Sequence, residues 1–91
     1  MIELTILMPC LNEAETLAAC IEKAKGFLAR TGIEGEVLIS DNGSTDGTTD
    51  YLRSIAGPKC QVHINDANLN FAGACNQGLT LAHAPYTLLL N

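Results

Sequence analysis

The sequence predicts an α/β domain with a mostly parallel sheet and helices on its faces. Three observations predict it. β-rich apolar segments alternate with stretches of helical periodicity, in the order strand–helix–strand–helix–strand–helix–strand. Polar residues gather directly after the strands, as they do at the carboxyl edge of a parallel sheet. The length, 91 residues, holds one small domain.

The elements follow in order. Residues 2–8 form an apolar, β-rich strand that Pro9 ends. Asn12 caps the first helix, with Glu13 and Glu15 in its first turn favoured by the helix dipole. Leu17, Cys20, Ile21, Ala24 and Leu28 then fall on one apolar stripe, and Gly32 is the stop. Residues 36–40 read as a second short strand through Val37, Leu38 and Ile39. Residues 41–47 form a polar, Gly-containing loop. A helix follows over about residues 45–56 with Tyr51, Leu52 and Ile55 inward, closed by Gly57-Pro58. Residues 60–64 alternate as a third strand and 65–70 are polar loop. Phe71, Ala74, Cys75, Gly78, Leu79 and Ala82 mark a third helix, which Ala84-Pro85 breaks before a fourth strand over 86–90. Parallel pairing requires right-handed crossovers between these strands.

Composition narrows the function. The chain is 47% hydrophobic and 16% charged, with 5 basic against 10 acidic residues and net charge −5. Mean hydropathy is +0.18 and the isoelectric point about 4.7. Such a chain is neither a disordered acidic tail nor a binder of nucleic acid through a basic patch. No apolar run approaches the roughly 20 residues of a membrane span, and no basic leader precedes the first strand. The expected compartment is the cytoplasm. Four cysteines, Cys10, Cys20, Cys60 and Cys75, lack any C-x-x-C spacing and read as buried free thiols.

In a parallel sheet the three polar loops share one edge. Asp41, at the end of a buried strand, either accepts a hydrogen bond from a nucleobase ring N–H or builds an Asx-type turn at Gly43. Ser44 and Asp46 read as loop and cap residues, and Glu13 either contacts ligand or complements the helix dipole. Other sites are excluded. A calcium loop from Asn42 would need Glu at position 53, which is Arg53. No phosphate loop and no G-x-G-x-x-G occurs. The sequon at Asn42-Gly43-Ser44 has no secretory signal to go with it. His63 and His83 are not placed as catalytic residues.

Pro9-Cys10-Leu11-Asn12-Glu13, then Ser40-Asp41-Asn42-Gly43-Ser44-Thr45-Asp46-Gly47-Thr48, then Asn68-Leu69-Asn70-Phe71-Ala72-Gly73-Ala74-Cys75-Asn76-Gln77-Gly78, stand in this order along the chain. They resemble the P-x-x-N-E, D-[DN]-G-S-x-D-G-T and N-x-G-F-x-x-A-x-N-x-G motifs of family-two glycosyltransferases of the GT-A fold. The resemblance covers nearly the whole chain. It implies a Rossmann-like three-layer sandwich, a partial GT-A fold, as the nucleotide-sugar-binding half of such a domain, truncated at its C-terminus. The implied partner is a UDP-, GDP- or dTDP-linked sugar, whose sugar the full enzyme transfers to an acceptor. The implied nucleotide-binding residues are Pro9, Cys10, Leu11, Asn12, Glu13, Asp41, Asn42 and Asn76, with Asp41 pairing with the base.

The chain departs from the family pattern in three places. Asn70 replaces a Gly, and Asn is the next best residue for a left-handed turn. Leu69 stands where a basic residue is often found. Asn91 would be the first residue of the metal motif, so the Mg²⁺ or Mn²⁺ of the complete enzyme has no ligand set expected within this chain, and the catalytic residues are unknown. An apolar fourth strand with an unpaired edge predicts a homodimer or domain-swapped oligomer. The competing functional reading is a non-catalytic α/β interaction or dimerisation fragment. A receiver-like domain is disfavoured, because Glu13 alone and Asp66 in a long loop do not supply its acidic pair and phosphorylatable Asp.

Overall fold

The computed structural model describes residues 2–82 and 84–90. It contains β1 (Leu4–Cys10), α1 (Ala14–Thr31), β2 (Gly35–Asp41), α2 (Thr48–Ile55), β3 (Cys60–Ile64), α3 (Asn70–Leu81) and β4 (Tyr86–Leu89). The strands form one sheet in the order β3-β2-β1-β4, and every pairing is parallel. The predicted α/β order and parallel sheet are therefore what the chain adopts. His83, predicted at a helix end, and Asn91 lie outside the described residues.

Alternation along the strands sorts side chains between two faces. Ile6, Met8, Cys10, Val37, Ile39 and Cys60 point to one face, where α1 supplies Leu17, Ile21 and Ala24 and α2 supplies Leu52. Leu7 and Leu38 belong to the opposite face. There α3 packs Ala74, Cys75 and Gly78, all buried. The result is a three-layer sandwich with its core on the two central strands, where Ile6, Leu7, Val37, Leu38 and Ile39 are at most 1% exposed. Each such side chain contributes roughly 1.5–3 kcal/mol by burial.

Four local expectations are corrected. β1 does not end at Met8 but runs through Pro9 and Cys10. Leu7 O accepts from Leu90 N, on the β4 side, and Cys10 O accepts from Asn42 N, on the β2 side. By alternation, the position of Pro9 that lacks an N–H faces the β4 side, past the last paired residue Leu7, so no ladder bond is lost.

Asn12 is not the cap of α1. That position is Glu13, without a side-chain cap bond, while Asn12 adopts a left-handed φ of 52°. α2 begins at Thr48 rather than near Thr45, because Gly47 is left-handed at φ 94° and interrupts helical winding. Cys20 is exposed rather than part of the inward stripe. It lies on the flank of α1 and borders a groove with Leu17, Lys23 and Leu90.

The predicted stop at Gly32 holds: it closes α1 at φ 71° and its N–H bonds Leu28 O. Asn70 takes φ 64°, so the turn that Gly serves elsewhere survives with Asn.

The cysteines give a direct check. Burial pushes the Cys10 and Cys60 thiols up, and the Asp41 carboxylate beside Cys10 raises it further. Reactivity follows the thiolate, so these two stay unreactive. A thiol-specific reagent at pH 8 is expected to modify Cys20 rapidly and the other three only after denaturation. Mass spectrometry of the digested product checks this. Modification of Cys10 as fast as Cys20 would contradict the described packing.

Candidate functional site

All strand carboxyl ends lie on one edge because the sheet is parallel, and the three motif loops meet there. Their union is made of hydrogen bonds between residues far apart in sequence. Asn12 N donates to Ser44 Oγ at 2.8 Å, and Thr45 N donates to Asn12 Oδ1 at 2.7 Å. Ala14 N donates to Asp46 Oδ2 at 3.2 Å. Asn65 N donates to Asp41 O at 2.8 Å, and Asn42 Nδ2 donates to Asn70 O at 3.1 Å. The left-handed Asn12 thus acts as a clamp on the second loop, not as a helix cap.

Asp41 is fully buried. Its Oδ2 accepts from Gly43 N (3.1 Å) and Ser44 N (2.9 Å), and its Oδ1 accepts from Ser44 Oγ (2.5 Å) and Cys10 Sγ (3.2 Å). This is the turn-building role weighed in the sequence. Gly43 completes the turn at φ 81°, and a Cβ there would stand 3.1 Å from Asn65 O. Asp46 accepts from Thr48 N at 3.1 Å and from Thr48 Oγ1, contacts that hold its carboxyl below the usual range.

Beside these loops is a cavity of about 250 Å³ lined by Pro9, Cys10, Leu11, Glu13, Asn42, Asn68, Asn70 and Phe71. Pro9, Leu11 and Phe71 give it apolar walls, and the Asn and Glu side chains give it polar ones. Of the sequence-derived residues, Pro9, Cys10, Leu11, Glu13 and Asn42 come together on this lining. Asn12 is not among the lining residues, and it holds the second loop through Ser44 and Thr45. Asp41 is not on the lining, and its four hydrogen bonds support the loop. Asn76 is exposed on α3 and is not among the lining residues.

The sequence reading placed Asn68, Asn70 and Phe71 in the third motif but did not name them among the nucleotide-binding residues. Their signal was their place just before and at the start of α3, the end of the helix closest to the strand tips. A second cavity of about 280 Å³, lined by Lys25, Leu28, Ala29, Ile33, Gly35 and Lys59, sits at the opposite end of the sheet, away from every motif.

No group of three or more His, Cys, Asp or Glu among the described residues is arranged to hold a metal ion. Glu13 is the one carboxylate on the lining, and the Asp41 carboxylate is taken up by the loop. Among the described residues, no helix is long and apolar enough to cross a membrane.

Comparison with known proteins converges on one family. The sequence pattern described as glycosyl transferase family 2 matches residues 5–91. The succinoglycan biosynthesis protein ExoA of Rhizobium meliloti is 47% identical over 51 residues, covering 56% of this chain and 15% of that protein. The validoxylamine A glucosyltransferase of Streptomyces hygroscopicus subsp. jinggangensis is 36% identical over 93 residues, covering 97% of this chain and 21% of that protein. The PGL/p-HBAD biosynthesis glycosyltransferase of Mycobacterium tuberculosis is 32% identical over 89 residues, covering 94% of this chain and 33% of that protein. The chain spans a third or less of the length of these relatives.

Proposed function

The chain belongs to glycosyl transferase family 2, and on that premise we propose that its strand-tip cavity receives the nucleoside end of a nucleotide-activated sugar, UDP-, GDP- or dTDP-linked. The observation that carries this reading is the convergence of three motif loops on a cavity with apolar walls and a buried amide. A flat base fits between apolar surfaces such as Pro9, Leu11 and Phe71. Asn42 supplies a polar contact at its edge, and Glu13 and Asn68 stand at the rim. The lengths of the relatives support reading residues 1–91 as one portion of a larger catalytic domain. In that domain the sugar passes to an acceptor by direct displacement.

A divalent cation, Mg²⁺ or Mn²⁺, neutralises the leaving diphosphate in such a reaction. The described residues do not fit that ion, and Asn91, assigned to the metal motif, lies outside them. The work of these residues is confined to holding the nucleoside. The four free cysteines suit a reducing compartment, the cytoplasm, where such donors would be bound.

Phe71 is 51% exposed, so its removal tests binding without disturbing the core. Base–aromatic contact is worth about 1–3 kcal/mol. Calorimetric titration with UDP and GDP is expected to show weak saturable binding, reduced about tenfold or more in Phe71→Ala, with an unchanged unfolding midpoint. Absence of saturable binding, or an unaffected Phe71→Ala, defeats the reading.

The outer edge of β4 supports a proposal about assembly. Among the described strands it pairs only with β1, and Tyr86, Leu88, Leu89 and Leu90 are exposed. Unpaired apolar edges recruit further strands, and a second copy offers the same edge. Light scattering on a sizing column is expected to give a dimer mass at micromolar concentration, and Leu88→Lys a monomer. A wild-type monomer throughout that range refutes the pairing.

A further inference from the structure

The amide of Asn42 has only one orientation open to it. Its Oδ1 accepts from Leu69 N at 3.2 Å, and its Nδ2 donates to Asn70 O at 3.1 Å. A backbone N–H only donates and a backbone carbonyl only accepts, so these two neighbours fix which end of the amide is which. The second lone pair of Oδ1 is taken by Asn65 Nδ2 at 3.2 Å. Asn65 is held in its own orientation in turn. Its Oδ1 accepts from Gln77 Nε2 at 2.7 Å, and Gln77 Oε1 accepts from Ser40 Oγ at 3.0 Å. The relay crosses from β2 through the third loop to α3 with every link set in direction.

The arithmetic of the amide then decides what the cavity meets. Asn42 offers two acceptor lone pairs and two N–H donors. Both lone pairs and one donor have partners within the chain. One N–H is left, on a residue that is 6% exposed and lines the cavity.

We infer that Asn42 reads the base as a hydrogen-bond donor only, and that Asn65 is the positioning residue that keeps it so by occupying its second acceptor site. This rests on the nucleoside reading of the cavity and deepens it. The ligand must present an acceptor atom, such as a ring carbonyl oxygen, at the Asn42 position. A ring N–H placed there finds no acceptor on Asn42. Gln77, which is not among the lining residues, supports Asn65 from α3.

Thio-substituted nucleotides test the polarity, because sulfur accepts hydrogen bonds poorly in place of oxygen. Uridine monophosphate and its 2-thio and 4-thio analogues are titrated into the 91-residue chain, followed through backbone amide shifts of Leu69, Asn70 and Phe71. One of the two thio analogues is expected to bind about fivefold to tenfold more weakly than the parent, the worth of one hydrogen bond. Asn65→Asp keeps the shape and the bond from Gln77 but cannot donate to Asn42. The carboxylate oxygen that replaces that donor repels Asn42 Oδ1 and draws the Asn42 N–H groups toward itself, away from the ligand, so in that variant the ratio between parent and analogue is expected to fall toward one. A merely structural role for Asn65 would weaken all three ligands together and leave the ratio intact, which overturns its assignment. Equal binding of all three ligands by the wild type overturns the donor polarity while leaving the nucleoside site standing. No shift with any of them, nor with guanosine monophosphate titrated in the same way, defeats the nucleoside reading and this inference with it.

Discussion

Replacing Asp41 with alanine is expected to cost about 3–5 kcal/mol of folding stability, the largest effect of any loop substitution. Its carboxylate accepts four hydrogen bonds with no exposure to solvent. Alanine leaves the Gly43 and Ser44 N–H groups without an acceptor where no water replaces it. Ser44 Oγ also loses its anchor, and with it the bond that holds Asn12. A domain of this size has on the order of 5–15 kcal/mol in total, so the loss is a large share. Asp41→Asn behaves differently. Its carbonyl still accepts from the two backbone N–H groups, and its NH₂ faces a hydroxyl and a thiol that rotate to accept. That variant is expected to lose about 1 kcal/mol. Urea unfolding, with an unchanged slope against denaturant, measures both. Near-equal losses in the two variants, or a wild-type midpoint for Asp41→Ala, would show that the carboxylate does not hold the loop.

Gly78→Ala carries the second large effect. A Cβ at Gly78 would stand 2.2 Å from Leu7 Cδ1 and 2.7 Å from Leu7 Cδ2. Leu7 is fully buried on β1, inside the sheet, and has no room to retreat. Either Leu7 leaves its rotamer or α3 lifts from the sheet, at about 1–3 kcal/mol. The higher helix propensity of alanine offsets about 1 kcal/mol of that. Lifting α3 also moves Asn70 and Phe71, so nucleotide affinity is expected to fall together with stability. The partner substitution Leu7→Ala alone costs about 2–5 kcal/mol through the cavity it opens. In the double variant the new methyl group occupies part of that cavity. The combined loss is therefore expected to be smaller than the sum by about 1 kcal/mol or more. Strict additivity would mean that the two side chains do not compete for the same space.

These two residues show why the site was only partly legible in the sequence. The D-N-G-S loop was visible as a functional segment, but not which of Asp41 and Asn42 lines the cavity. That choice depends on Cys10 and Ser44, which draw the carboxylate inward, and on Leu69 and Asn70, which hold the amide at the rim. Cys10 and the α3 residues stand about thirty positions away on either side. Pro9, Cys10, Leu11 and Glu13 were legible because a short motif after the first strand must lie at the sheet's carboxyl edge. Asn76 stands apart from the cavity lining for a geometric reason. Its motif runs into a helix, and residues beyond the first turn of α3 move away from the strand tips at about 1.5 Å per residue.

What the sequence determined by itself is local: the strand–helix alternation, the turns at Gly32, Gly43 and Asn70, and the gathering of polar loops after strands. Each follows from periodicity or from backbone freedom over a few neighbouring residues. What only the tertiary structure decided is orientation: the buried Asp41, the clamp at Asn12, and the amide relay from Ser40 to Asn42. A hydrogen-bond direction belongs to two partners at once. When those partners lie on different loops, the direction exists only after the chain has brought the loops together.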